Sequence, residues 1–202
     1  GTVVVDNSLG AVSVKAMQFA TDNYIVTGDA LTLTDPRSTI RVGDGTIAGM
    51  DMTATIRAQL RGNAQLVKTD QGTLLLEGDN SYTGGTRISG GTVQISSDKN
   101  LGAASGSLIF DGGALNTTAD VETDRAVAFE SAGVLHTDRD TTLTLNGLLS
   151  GTGSFSKQGA GTLALNGDNS GYFGHTTLPA GQLVVGGNLG GSLAFAEAGR
   201  LA

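Results

Sequence analysis

An internal repeat constrains this chain more than any other feature. QGTLLLEGDNSYTGGTRISGGTVQI at residues 71–95 recurs as AGTLALNGDNSGYFGHTTLPAGQLVV at residues 160–185. Gly72 aligns with Gly161, an offset of 89 residues that extends back to Leu60 and Leu149 through Gly62/Gly151 and Lys68/Lys157. Past an inserted Gly171 the offset becomes 90, and Tyr82/Tyr172, Gly84/Gly174, Thr86/Thr176 and Gly91/Gly181 continue the match. The copies span residues 60–95 and 149–185, and 15 of the 36 aligned positions are identical. Leu66/Phe155, Ile88/Leu178, Val93/Leu183 and Ile95/Val185 keep apolar character. Two copies of one unit within 202 residues point to a repeat architecture.

Each copy is assembled from shorter pieces. Runs with a period of two recur along the whole chain, among them Thr2–Val5, Ile40–Val42, Met52–Ile56, Thr73–Leu76, Thr92–Ile95, Ser107–Phe110, Thr141–Leu145, Thr162–Leu165 and Gln182–Val185. Such runs predict short strands, and the Gly-Asp, Asp-Gly, Gly-Gly and Asn-Ser pairs between them predict tight corners. A unit of 89 residues is too long for one solenoid turn. Four turns of roughly 22 residues, each with about three strands, account for it, and the whole chain then holds about nine turns. Strands stacked ~4.8 Å apart make a rod of roughly 40 Å. Leu74, Leu76, Val93 and Ile95 are expected to point inward and stack on their equivalents one turn away. No composition break divides the sequence, so residues 1–202 read as one β-helical segment, and both ends read as cuts in a longer chain.

A weaker motif joins a strand end, a Gly or Asn corner and another strand. Phe129–Leu135 (FESAGVL) resembles Phe195–Leu201 (FAEAGRL), and Phe19–Ile25 carries Asn23 where the others carry glycine. Asn tolerates the left-handed region better than most residues. Helix signals are thin: Ser96–Ser105 suits a single helical turn capped by Ser97 or Asp98.

Composition narrows the function classes. Thirty-two Gly, no Cys, no Trp and a 15% charged fraction describe neither a charge-solvated disordered chain nor a disulfide scaffold. The net charge of −7 disfavours nonspecific binding to nucleic acid. No run approaches 18 apolar residues, and the first residues, GTVVVDNSLG, lack the pattern of a signal peptide.

Candidate chemistry is sparse. His175 stands where the first copy has Gly85 and reads as an exposed corner residue. His136, Asp138 and Asp140, with Asp120, Glu122, Asp124 and Arg125 before them, form the densest polar cluster, a patch able in principle to hold Ca²⁺ or a sugar chain. Its bland counterpart is a solvated loop, and that reading is preferred. Gly78–Ser81 and Gly167–Ser170 contain an Asp-Ser arrangement, but duplication at one repeat position marks corners rather than a nucleophile. Gly151–Lys157 lacks phosphate-loop spacing, which leaves Lys68 and Lys157 as expected solvent-facing residues on outward strand positions. Tyr82 and Tyr172 are expected to cover the end of the apolar interior with their hydroxyls reaching water. This segment is therefore expected to contain no catalytic residue, cofactor site or metal site.

The repeat itself resembles the passenger-associated strand repeats of type V autotransporters. The first copy keeps Gly72, Thr73, Leu74, Leu76, Gly78, Asn80, Tyr82, Gly84, Thr86, Ile88 and Gly91 of their pattern, with Val93 in the last apolar place. The second copy departs by the inserted Gly171 and by Pro179 beside Leu178. Val14–Leu33 looks like the segment found upstream of such repeats, and Gly181–Ala202 like the end of a repeat series. The resemblance implies a right-handed parallel β-helix, exported through the periplasm and across the outer membrane by a C-terminal β-barrel that lies outside this sequence. It further implies a surface-displayed or secreted stalk or adhesion scaffold without catalysis. Its partners would be its own barrel and a host-cell surface, matrix or glycans, and not nucleic acid. The alternative is a polysaccharide-processing β-helix, a lyase or hydrolase, for which the Asp120–Asp140 region is the candidate.

Overall fold

The computed structural model describes residues 1–195 and the backbone of 199–201. Every strand pairing in it is parallel and joins one turn of the chain to a later one. The result is a β-solenoid of about nine turns with three walls. The long wall has ten strands, from Thr2–Val5 through Thr73–Leu76, Thr92–Ile95 and Ala114–Thr117 to Ser192–Phe195. The second wall has eight strands, from Ala16–Phe19 to Gly171–Tyr172. The third wall is broken into three strands, ending at Leu60–Arg61, and five, beginning at Val121–Thr123. In the gap of that wall, residues 97–106 carry a 3₁₀ turn, Asp98–Leu101.

Alternation decides which side chains build the core. Strands such as Thr73–Leu76 and Thr142–Leu145 bury every second residue, with the β-branched threonines half-exposed outside. Register then stacks like on like: Leu74 pairs with Val93, Val93 with Leu115, and Leu115 with Leu135. Phe110 and Phe129 of the second wall stack with centroids 4.6 Å apart, and Phe155 of the long wall and Tyr172 of the second extend the aromatic cluster at 4.9 and 5.4 Å. The inward stacking expected of Leu74, Leu76, Val93 and Ile95 is present, and all four are buried.

The turn count within the repeat differs from expectation. Four turns above Leu74 the same inward column holds Lys157, not Leu163. Leu163 lies six residues further on, in the third wall, paired with Leu143 and Leu183. The repeat therefore advances four turns and one wall, so equivalent strands of the two copies face different sides. Individual turns vary in length, which sets this phase: Thr73 pairs 19 residues on with Thr92, whereas Tyr24 pairs 30 residues on with Ala54. The long turn accommodates a protruding 3₁₀ segment, Ile47–Asp51.

The predicted corners form with the local chemistry expected of them. Asn23 adopts φ 59°. Ser97 caps the 3₁₀ turn, and the Asn100 side chain accepts from the Ser97 and Ser96 N–H groups at 2.9 and 3.1 Å. Gly133 differs from the corner role expected of it, because it opens a strand and has no positive φ. A Cβ there would lie 2.7 Å from the Phe129 ring, so the stacked aromatics exclude a side chain. In the matching FAEAGRL segment, residues 196–198 lie outside the described residues.

Candidate functional site

The buried cations are the clearest departure from sequence expectation. Lys68 and Lys157 are fully buried rather than outward-facing. Each occupies an inward place in its strand, Lys68 between Ile40 and Ile88, and Lys157 above Leu135. The aliphatic stem lies in the apolar column, and the ammonium turns into the corner that follows. Lys68 Nζ donates to the carbonyls of Thr69, Asp70 and Gly90 at 2.9, 2.9 and 3.1 Å. Lys157 Nζ donates to those of Gln158 and Gly159 at 2.6 and 3.0 Å. In both copies the second residue after the lysine is left-handed, Asp70 at φ 65° and Gly159 at φ 75°. That conformation aims two consecutive carbonyls at one point, and the lysine neutralises them. Burial holds both ammonium groups at about 8, below the usual lysine value, with the nearby Asp70 carboxylate opposing the shift at Lys68. The signal that was available is the pairing of each lysine with an Asp or Gly two residues later at one repeat position.

Arg125 is likewise buried and does not join the surface carboxylates beside it in sequence. Its guanidinium reaches Asp98, with Nε to Oδ1 at 2.7 Å and Nη2 to Oδ2 at 3.1 Å. It also donates to the carbonyls of Ala103, Gly102 and Gly106. One side chain thus staples residues 97–106 across the gap in the third wall. Beside it an asparagine ladder closes the corner: Asn80 Nδ2 donates to Asn100 O at 2.6 Å, and Asn80 Oδ1 accepts from Leu60 N at 2.7 Å.

The tyrosine hydroxyls do not reach water. Tyr82 and Tyr172 are both fully buried. Tyr82 Oη lies 2.7 Å from Thr86 Oγ1, whereas among the described residues Tyr172 Oη has no hydrogen-bond partner. The second copy keeps both residue types, but Tyr172 Oη and Thr176 Oγ1 do not meet in hydrogen-bond geometry. Burial pushes both phenols above their ordinary value.

The polar cluster is spread over corners and two walls. His136 lies on the outer surface of the long wall, with Nε2 3.5 Å from Asp138 Oδ1. Glu122 is on the third wall, and its Oε1 shares the Asn146 amide with Asp124 Oδ1 at 2.8 and 3.2 Å. Asp120 Oδ1 accepts from Thr142 N at 2.8 Å. Asp120 and Glu122 border an open depression of about 340 Å³ lined otherwise by Val121, Thr142 and Thr144. Their hydrogen bonds tie one turn to the next, a structural use of the carboxylates. His175 is exposed as expected, heading a strand with Nδ1 2.7 Å from Ser192 Oγ. Gly167–Ser170 forms a corner in which Asp168 Oδ1 accepts from Ser170 N at 3.0 Å, and the Ser170 hydroxyl first and its N–H second lower the carboxyl's pKa.

The walls differ in outer chemistry. The second wall carries Arg41 against Asp70 at 2.8 Å, and Arg87 bridging Asp111 and Glu130 at 2.8 and 2.7 Å. Among the described residues the long wall has no such pairs across its strands. Its outer rows are threonine-rich at Thr53, Thr73 and Thr92, then amide-rich at Gln94, Asn116 and Gln158.

Comparison with known proteins agrees with this architecture. A family model described as passenger-associated-transport-repeat matches residues 66–95 and 155–185. The chain is 64% identical over 151 residues to a protein named adhesin BmaC autotransporter from Brucella suis biovar 1 (strain 1330). That alignment covers 75% of this chain and 4% of the relative, so the chain spans a small part of the curated protein it matches. No solved structure matches it. With two matched repeats wound into one parallel solenoid, this chain belongs among the passenger segments of autotransporters.

Proposed function

We propose that this chain is a single β-helical segment of a longer surface-displayed passenger and serves there as a stalk and scaffold for adhesion, without catalysis of its own. The observation that carries the reading is the 64% identity to a protein named as an adhesin autotransporter. A solenoid suits the role because each turn adds ~4.8 Å of length, while the core lies inside and the outer positions remain free for contact. Export would end with the passenger outside the cell, joined to or released from its own C-terminal β-barrel. Host surface, matrix or glycans are the partner classes. The use of Asp120, Glu122 and Asp124 in turn-to-turn hydrogen bonds supports a non-enzymatic reading of that cluster.

The test is display of the full passenger on the outer surface of bacteria, with and without an in-frame deletion of residues 66–185. Intact cells are labelled with antibody against this chain and scored for attachment to matrix-coated wells. Surface labelling of the parent with loss of attachment in the deletion is expected. A segment that stays inaccessible on intact cells, or turnover of an acidic glycan by the purified chain, would overturn the reading.

A further inference from the structure

We propose that the long wall is a self-association surface that takes the same wall of a second copy of this chain. Across its ten strands the only Asp, Glu, Lys or Arg is Lys157, and Lys157 points inward and is fully buried. The other walls differ: Arg37, Arg41 and Arg87 lie on the second, and Arg61 and Glu122 on the third. With 12 basic and 19 acidic residues in the chain, a wall free of outward charge does not follow from composition alone. Charges stand at its margins instead, as at the Arg57–Glu77 pair and at Asp138. A charge-depleted centre with a charged rim is the anatomy of a protein–protein contact.

The occupant follows from charge, chemistry and area. Each copy carries −7, so two copies meet at least electrostatic cost through the face from which charge is missing. The central column runs Gln94, Asn116, His136, Gln158 in register. Carboxamides both donate and accept, so one column complements a second copy of itself about a two-fold axis. Among the described residues the Gln158 amide and Gln94 Nε2 make no hydrogen bond within the chain, which leaves them available. Ten strands at ~4.8 Å spacing, each about 13 Å long, present roughly 560 Å² per copy. The total of about 1,100 Å² passes the ~1,000 Å² that a specific interface requires. No cationic residue faces outward for an anionic polymer, and no Phe, Tyr or Trp projects from the central column to stack a sugar ring.

The chain has no cysteine, which makes the test direct. Asn116→Cys places one thiol near the middle of the wall, and Thr144→Cys places one on the third wall. Sedimentation of the parent and mild oxidation of the two variants are measured together, with circular dichroism to check the fold. Parent dimers, and cross-linking at least tenfold faster for Asn116→Cys than for Thr144→Cys, are expected. Gln94→Glu with Gln158→Glu should restore monomers without altering the thermal midpoint. A parent that stays monomeric up to roughly 100 µM, or equal cross-linking at both positions, would overturn the proposal. So would retention by a neutral glycan, abolished by the double glutamate variant, in a chain that remains monomeric.

Discussion

The ammonium of Lys68 and the carbonyl of Gly90, 22 residues apart in sequence, meet at 3.1 Å where one turn lies over the next. The contact ties a buried cation to two corners at once, because the same ammonium also donates to the carbonyls of Thr69 and Asp70. Lys157 repeats the local part of this arrangement on a different wall.

Both lysines titrate at about 8 in the folded chain, against 10.5 when free. Between those values the unfolded chain binds more protons, so stability should rise with pH across the window. A gain of roughly 1–3 kcal/mol between pH 7 and pH 10 is expected for the parent. Urea unfolding at the two pH values checks this, with Lys68→Met and Lys157→Met each reducing the gain. A double methionine variant that keeps the parent's pH dependence would remove the lysines from the account.

Leu74 and Leu163 are both fully buried in the core. Truncation of either to alanine should cost about 2–5 kcal/mol, and replacement by aspartate more, since a carboxylate would enter an apolar column. Thermal unfolding measures the loss. A midpoint equal to the parent's would contradict the inward assignment.

Arg125→Ala should free residues 97–106, because it leaves the Asp98 carboxylate and four carbonyls without their donor. Breaking a fully buried pair costs about 3–5 kcal/mol, and the loss here should fall at or below the lower end because Asp98 is partly exposed. Limited proteolysis and hydrogen exchange should locate new exposure near Ala103–Ser105 before the rest of the chain opens. Uniform opening would mean that the staple acts on the whole rod.

The two tyrosines should separate under one substitution. Tyr82→Phe removes the 2.7 Å contact to Thr86 and should cost about 1 kcal/mol. Tyr172→Phe removes a buried hydroxyl that has no partner and should be neutral or stabilising. Denaturant midpoints of the two variants decide it, and equal losses would show that the Tyr172 hydroxyl is hydrogen-bonded as well.

His136→Ala and Asp138→Ala should leave attachment of displayed passenger at the parent level, since the pair is a half-exposed contact at 3.5 Å. Attachment assays on intact cells test this. A severalfold loss in either variant would give the cluster a role in binding.

Much of this architecture was legible in the sequence because its causes are local. Alternation in Thr73–Leu76 or Thr162–Leu165 requires one buried and one outward face, and it marks strands wherever it occurs. Asn23, Ser97 and the Gly78–Ser81 corner follow from the conformations and hydrogen bonds open to those residues. The repeat of Gly, Thr, Leu, Asn and Tyr positions carried the solenoid and the family with it.

The phase of the winding was decided only by the tertiary structure. Turn length varies from corner to corner, so an 89-residue offset does not state which wall a strand joins; register does, and it sets Lys157 rather than Leu163 above Leu74. Polarity suggested an outward Lys68, but strand alternation placed its stem inside, and carbonyls from its own corner and the next turn made burial tolerable. The long wall, free of outward charge, emerges for the same reason. Its residues come from ten separate turns, and only parallel pairing brings them onto one surface.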